Sequence, residues 1–136
     1  MIPEPAKLRD FALRYTAAWC SRDAASVAAF FSPAGSLRIN DGAPAAGRSA
    51  IADAAEAYMI AFPDLHLSMD DALVKEGRVV YHWTFTGANT GPGGTGQRVR
   101  SSGFEVWKIG DDGLIAESQG HYDSADYLRQ LGHHKP

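Results

Sequence analysis

The chain opens with apolar residues at helical spacing: Leu8, Phe11, Tyr15 and Trp19 recur every three to four positions and so share one helix face. Pro5 suits the first turn, where a missing N–H has no partner to lose. Asp23 is the expected N-cap of a second, short helix whose apolar side is Val27, Phe30 and Phe31, with Pro33 and Gly35 ending it. Ser36 to Asn40 predicts a short strand, with Leu37 and Ile39 alternating against Ser36 and Arg38, closed by a turn at Asp41-Gly42. A third helix is expected from about Ser49, with Ile51, Ala54, Ala55, Tyr58, Met59 and Phe62 as its stripe and Pro63 as its stop.

From Leu65 the period changes to two. Leu65, Leu67 and Met69 alternate with His66, Ser68 and Asp70, and Lys75-Glu76-Gly77 predicts a hairpin turn. Arg78 to Thr86 is the clearest strand, with Tyr81, Trp83 and Phe85 on one face and Val80, His82 and Thr84 on the other. Asn89 to Gly96 is glycine-rich and reads as a flexible loop. Val99 to Ile109 and Leu114 to Asp123 are the last two strands, joined by a turn at Asp111-Asp112-Gly113. Ser124 can cap a terminal helix carrying Leu128 and Leu131. Helices first and an antiparallel meander after them predict the α+β class, with the helices covering one sheet face and the other left to solvent or a second subunit.

Composition agrees with one globular domain over 1–136: 136 residues, 45% hydrophobic and 21% charged. A net charge of −3, with 13 basic residues scattered along the chain, gives no footprint for nucleic acid or an anionic membrane. Cys20 is the single cysteine and reads as a small buried hydrophobe on a helix. The start of the chain lacks the pattern of a secretory leader, and no apolar run reaches the roughly 20 residues of a membrane span, so a cytoplasmic location is expected.

Several segments also resemble the nuclear transport factor 2-like superfamily, and within it the SnoaL-like (polyketide-cyclase-like) family. They are Ala18-Trp19 followed by Asp23, Gly47-Arg48-Ser49-Ala50-Ile51, Phe62-Pro63-Asp64-Leu65, Trp83-Thr84-Phe85-Thr86-Gly87, Thr90-Gly91-Pro92, Tyr122-Asp123 and Gln130-Leu131-Gly132. The resemblance implies a cone-shaped α+β barrel, three N-terminal helices on a strongly curved, mostly antiparallel sheet around one pocket, in a homodimer paired through the sheets. It implies a small hydrophobic molecule as partner and a cofactor-free cyclase, isomerase, dehydratase or epoxide-hydrolase chemistry. A non-catalytic ligand-binding or dimerisation module of the same fold is the alternative, because fold alone does not settle function.

The resemblance also puts Asp123 where SnoaL-like cyclases carry an acid/base aspartate. Gln119 stands where many relatives have a pocket tryptophan, and Asn89 replaces a histidine common in the family's loop. Strand alternation puts Glu117, Gln119, His121 and Asp123 on one face, so if Asp123 points inward Gln119 and His121 follow. The expected chemistry is then Asp123 as general acid or base, His121 as its partner and Gln119 as an oxyanion donor. That set needs no metal or cofactor to abstract a proton beside a carbonyl. The plain alternative is a wet strand face, with Asp123 only capping the terminal helix.

Ligand contacts are expected from Tyr15, Trp19, Tyr58, Met59, Phe62 and Trp83, residues that can equally be core. Arg38, Asn40 and Glu105 are polar residues on strands, read by default as solvated or salt-bridged, with Asn40 placed among the ligand contacts. His82 is expected at a dimer interface. The glycine-rich stretch at 91–96 precedes a strand, not a helix, and reads as a mobile rim over the pocket mouth, not as a phosphate loop. His133-His134 is a terminal pair without further ligands to make a metal site.

Overall fold

The computed structural model describes residues 4–132. Four helices and six strands follow one another as α1 (Pro5–Cys20), α2 (Ala24–Ala28), β1 (Phe31–Ile39), β2 (Ala45–Ala46), α3 (Arg48–Ala61), β3 (His66–Lys75), β4 (Arg78–Ala88), β5 (Arg98–Ile109), β6 (Ile115–Tyr122) and α4 (Ser124–Gln130) among the described residues. The strands form one open sheet in the order β2-β1-β6-β5-β4-β3. It is curved but unclosed, so the expected barrel is an α+β cone with two sheet edges. His133 and His134 lie outside the described residues.

The helices form where the apolar stripes predict. In α1, Leu8, Phe11, Ala12, Tyr15, Thr16 and Ala18 are buried and Pro5 sits in the first turn. Asp23 caps α2 by accepting from the Ala25 amide. The start of β1 differs from expectation. Pro33 and Gly35 do not end a helix but lie within β1, and Phe31 belongs to that strand. The register of β1 against β6 slips between Phe31 and Ser36, and such an irregularity tolerates a proline that has no N–H to donate. A Cβ on Gly35 would lie 2.8 Å from the Ile115 carbonyl oxygen, too close for any other residue.

The β1–β6 pair is parallel, whereas every other pair in the sheet is antiparallel. This pairing brings the first strand of the chain beside the last. The expected β3–β4 hairpin turns at Glu76 and Gly77, with φ of 52° and 75°, the left-handed pair that a two-residue turn requires. The loop at 89–97 is tied down, unlike the expected mobile rim. Asn89 is buried, its side-chain amide donates to the Ala61 carbonyl, and its oxygen accepts from the Thr95 amide. Gly91 presses so near the end of α3 that a Cβ there would lie 2.0 Å from the Ile60 oxygen.

One core fills the space between the helices and the concave sheet face. Tyr15, Phe31, Tyr81 and Trp107 lie at its centre, fully buried. The Tyr81 and Trp107 rings stack at 4.9 Å, and Tyr15 meets Trp107 edge-on at 5.2 Å. Cys20, at the end of α1, is half-buried, and its Sγ lies 3.2 Å from the Leu67 carbonyl oxygen. No helix among the described residues is long and apolar enough to cross a membrane.

Candidate functional site

The concave face opens into a cavity of about 80 Å³ lined by Trp19, Leu37, Ile39, Tyr58, Leu67, Trp83, Phe85, Ser101, Glu105, Gly120, His121, Tyr122 and Tyr127. Register explains who reaches it. Tyr81, Trp83 and Phe85 of β4 pair with Glu105, Gly103 and Ser101 of β5, and Gly103, Glu105 and Trp107 pair in turn with Tyr122, Gly120 and Ser118 of β6. Small residues stand beside large ones across this face. Gly103 makes room for the Trp83 indole, since a Cβ there would lie 2.6 Å from the ring and 2.3 Å from the His121 carbonyl oxygen. Gly120 leaves the space beside Glu105 open, with only ordinary contacts around its missing Cβ.

Glu105 is the one carboxylate in the cavity wall among the described residues, and it is buried. Its Oε1 accepts from Tyr15 Oη at 3.0 Å, Trp107 Nε1 at 3.0 Å and Ser118 Oγ at 2.8 Å. Its Oε2 lies 3.2 Å from Tyr15 Oη. Burial pushes the carboxyl above its ordinary 4.5, against the three donors, which favour the ionised form. Burial also raises the Tyr15 hydroxyl well above its usual value, and the neighbouring Glu105 charge adds to that. Tyr58 is raised by burial first and then by its hydrogen bond to Tyr122. The wall therefore carries neutral phenols around a carboxyl group that tends to keep its proton.

Trp19 adds a donor. Its indole Nε1 is the only buried side-chain nitrogen or oxygen among the described residues without a hydrogen-bond partner. It faces the Tyr15 hydroxyl, where its N–H favours the phenolate as a donor does, against the larger effect of burial. The ring meets Tyr58 edge-on at 6.4 Å.

The expected polar column of β6 is turned the other way. Ser118 and Gly120 are buried, Tyr122 lines the cavity, and Glu117 and His121 are exposed. Alternation holds, but it cannot say which face is inward; the bulky Trp107 and the Glu105 carboxyl leave room only for Ser118 and Gly120 opposite them. His121 borders the cavity, yet its ring stacks at 4.8 Å on Phe104, whose other neighbour is His82 of the convex face. Gln119 Nε2 donates to the Asn40 and Gly120 carbonyl oxygens. Asp123 is exposed and caps α4, its Oδ1 accepting from the Asp126 amide at 3.0 Å. The structure thus does not bring Asp123, His121 and Gln119 together around a ligand space.

Of the expected ligand contacts, Trp19, Tyr58 and Trp83 line the cavity. Tyr15 stands behind Glu105, fully buried. Met59 and Phe62 are buried core and do not line the cavity; Phe62 stands just beyond α3, behind the cavity-lining Phe85 and Tyr127 rings. Asn40, at φ 50°, spends its side chain on the Tyr122 amide and its carbonyl on Gln119, fastening β1 to β6. Glu105, expected to be solvated or salt-bridged, is neither. The signal was present in the sequence: on β5 it shares a face with Val99, Trp107 and Ile109, a lone acid in an apolar row.

Known proteins place this geometry. No curated protein matches the chain. Among solved structures, AclR from Streptomyces galilaeus is 25% identical with a TM-score of 0.79, covering 98% of this chain and 89% of its own. TsrD from Streptomyces laurentii is 24% identical with a TM-score of 0.81, over 96% of this chain and 98% of its own. A protein of ketosteroid isomerase-like fold from Catenulispora acidiphila, solved in complex with trimethylamine, is 17% identical with a TM-score of 0.79, over 93% of this chain and 98% of its own. The SnoaL-like polyketide cyclase family matches residues 9–131, nearly the whole of the described cone. The chain belongs to the SnoaL-like polyketide cyclase family.

Proposed function

We propose that this protein is a cofactor-independent acid/base enzyme acting on a hydrophobic, carbonyl-bearing small molecule, with Glu105 as the group that moves the proton. The observation that carries this reading is a buried carboxyl in an apolar cavity, its proton affinity raised by burial and one oxygen held by three donors. A carboxyl whose proton affinity is raised by burial can serve as a general acid or base. Its Oε1 is held by Tyr15, Trp107 and Ser118, whereas Oε2 accepts only the longer share of the Tyr15 hydrogen bond and is the oxygen that exchanges a proton with a substrate carbon or oxygen. Enolisation followed by ring closure, isomerisation or elimination is the reaction class, and the family's polyketide cyclases support it.

The test is α-proton exchange into a small bicyclic ketone, 1-indanone, in D₂O, followed by proton NMR. Wild-type protein is expected to accelerate exchange, and Glu105→Gln to lose about 10²-fold or more of that rate while remaining folded. A variant that exchanges at the wild-type rate removes Glu105 from the chemistry.

A second reading is ligand binding without turnover, favoured by the hydrogen bonds that already occupy Glu105 and by the trimethylamine held in the Catenulispora protein. It predicts binding of 1-indanone with no exchange in the wild type. Either way the convex sheet face supports a homodimer. Leu73, Val80, His82, Phe104 and Val106 form a shallow groove there, rimmed by Lys75, Glu76 and Arg78.

A further inference from the structure

We infer that the cavity has a second polar end at the Ser101 hydroxyl, and that its ligand is a flat, neutral ring system with one oxygen at the Glu105 end and another at the Ser101 end. This rests on the acid/base reading of the cavity and names the ligand class that reading leaves open. Ser101 lines the cavity and is only 8% exposed. On β5 it pairs with Phe85 and shares the inward face with Gly103 and Glu105, while its neighbours Arg100 and Ser102 are exposed. Thr16, Thr84, Asn89, Glu105 and Ser118, the other buried polar residues among those described, each have a side-chain hydrogen bond within the chain. The Ser101 hydroxyl has none among the described residues. Its oxygen is not sealed off, as the Trp19 nitrogen is, and the surface it keeps opens on the cavity. Buried polar groups are satisfied almost without exception, so what fills the cavity completes this one.

The strand around Ser101 is fastened in place. The last pair between β5 and β6 is Gly103 with Tyr122, and beyond it the outer edge of β5 has no strand beside it. Gln130 of α4 takes that place: its side chain accepts from the Arg100 amide at 2.7 Å and donates to the Arg100 carbonyl oxygen at 2.8 Å. The same helix brings Tyr127 into the cavity wall. Ser101 and Glu105 stand four residues apart on β5, about 13 Å along the strand. Gly103 lies midway, and the Trp83 indole packs against it, so the floor between the two polar groups is aromatic. That span suits a bicyclic ring with its reacting carbon beside Glu105 and a hydrogen bond at its far edge. A serine hydroxyl both donates and accepts, so the far oxygen is a hydroxyl or a carbonyl. No lysine or arginine lines the cavity among the described residues, so a carboxylate or phosphate would find no counter-charge. Ser101 is in this sense a specificity residue, distinct from the group that moves the proton.

Calorimetric titration of the full chain with 6-hydroxy-1-indanone and with 4-hydroxy-1-indanone tests the second end. The two isomers carry the same groups, and only the 6-hydroxyl sits at the ring edge far from the α-carbon. The wild type is expected to prefer the 6-hydroxy isomer by roughly fivefold, as one neutral hydrogen bond allows, a readout that needs no variant. Ser101→Ala keeps the Cβ beside Phe85 and is expected to bind the two isomers alike while still binding 1-indanone. Failure of the wild type to favour the 6-hydroxy isomer, or a preference that survives Ser101→Ala, would overturn the second polar end. Its failure is distinct from failure of the acid/base reading, because Glu105→Gln is expected to keep the isomer preference. α-Proton exchange that persists in Glu105→Gln beside a Ser101-dependent preference leaves the polar end standing and removes the catalyst.

Discussion

Glu105 concentrates the chemistry of this protein in one side chain, and its cost to the fold has a direction. Because its folded-state pKa is raised above 4.5, the native state holds a proton that the unfolded chain releases above that pH. The stability this group allows is therefore full below 4.5 and declines as pH rises through the folded-state pKa. Urea unfolding of the wild type measured upward from pH 4.5 should show a falling free energy that Glu105→Gln lacks, the variant being relatively more stable at the alkaline end. The lowered carboxyls of Asp64, Asp112 and Asp126 act in the opposite sense and below 3.8, outside that window. An equal slope in both proteins would show that Glu105 ionises freely in the fold. Glu105 was legible in the sequence only as a charge out of place on an apolar strand face. Of its donors, alternation joins only Trp107 to it, two positions along β5; Tyr15 and Ser118 come from other elements that no spacing rule reaches.

At the scale of elements, β6 and α4 show how a sound local rule can miss its target. Alternation puts Gln119 and His121 on one face, and the structure agrees; the sign of that face comes from β5, whose Trp107 and Glu105 occupy the space opposite. Asp123 lies just past the strand, where its carboxylate serves α4. Asp123→Ala should then cost about 1 kcal/mol of stability, as loss of an N-cap does, and Asp123→Asn close to nothing. Both should exchange 1-indanone protons at the wild-type rate; a large loss in Asp123→Asn would return the aspartate to the active site. Likewise Pro33 and Gly35 are helix stoppers by local chemistry, and they become an irregular strand because β6 is there to pair with.

The whole molecule has two sheet faces of opposite character. The concave one is filled by helices and cavity, and the convex one keeps Leu73 at 38% exposure with Val80, Phe104 and Val106 around it. If two copies pair through that groove, Phe104→Lys with Val106→Lys should convert a dimer to a monomer in sedimentation velocity, with the cavity intact. A wild-type protein that sediments as a monomer would remove the homodimer. Local sequence alone, through hydrophobic periodicity with cap and turn chemistry, determined the α+β class, the helix faces, the β3–β4 turn and the cap at Asp23, because each depends on neighbours a few residues apart. The parallel meeting of β1 with β6, the inward face of β6 and the burial of Glu105 were decided only in the tertiary structure. Each depends on which bulky side chain of a distant strand claims the space, and alternation along one strand carries no information about that.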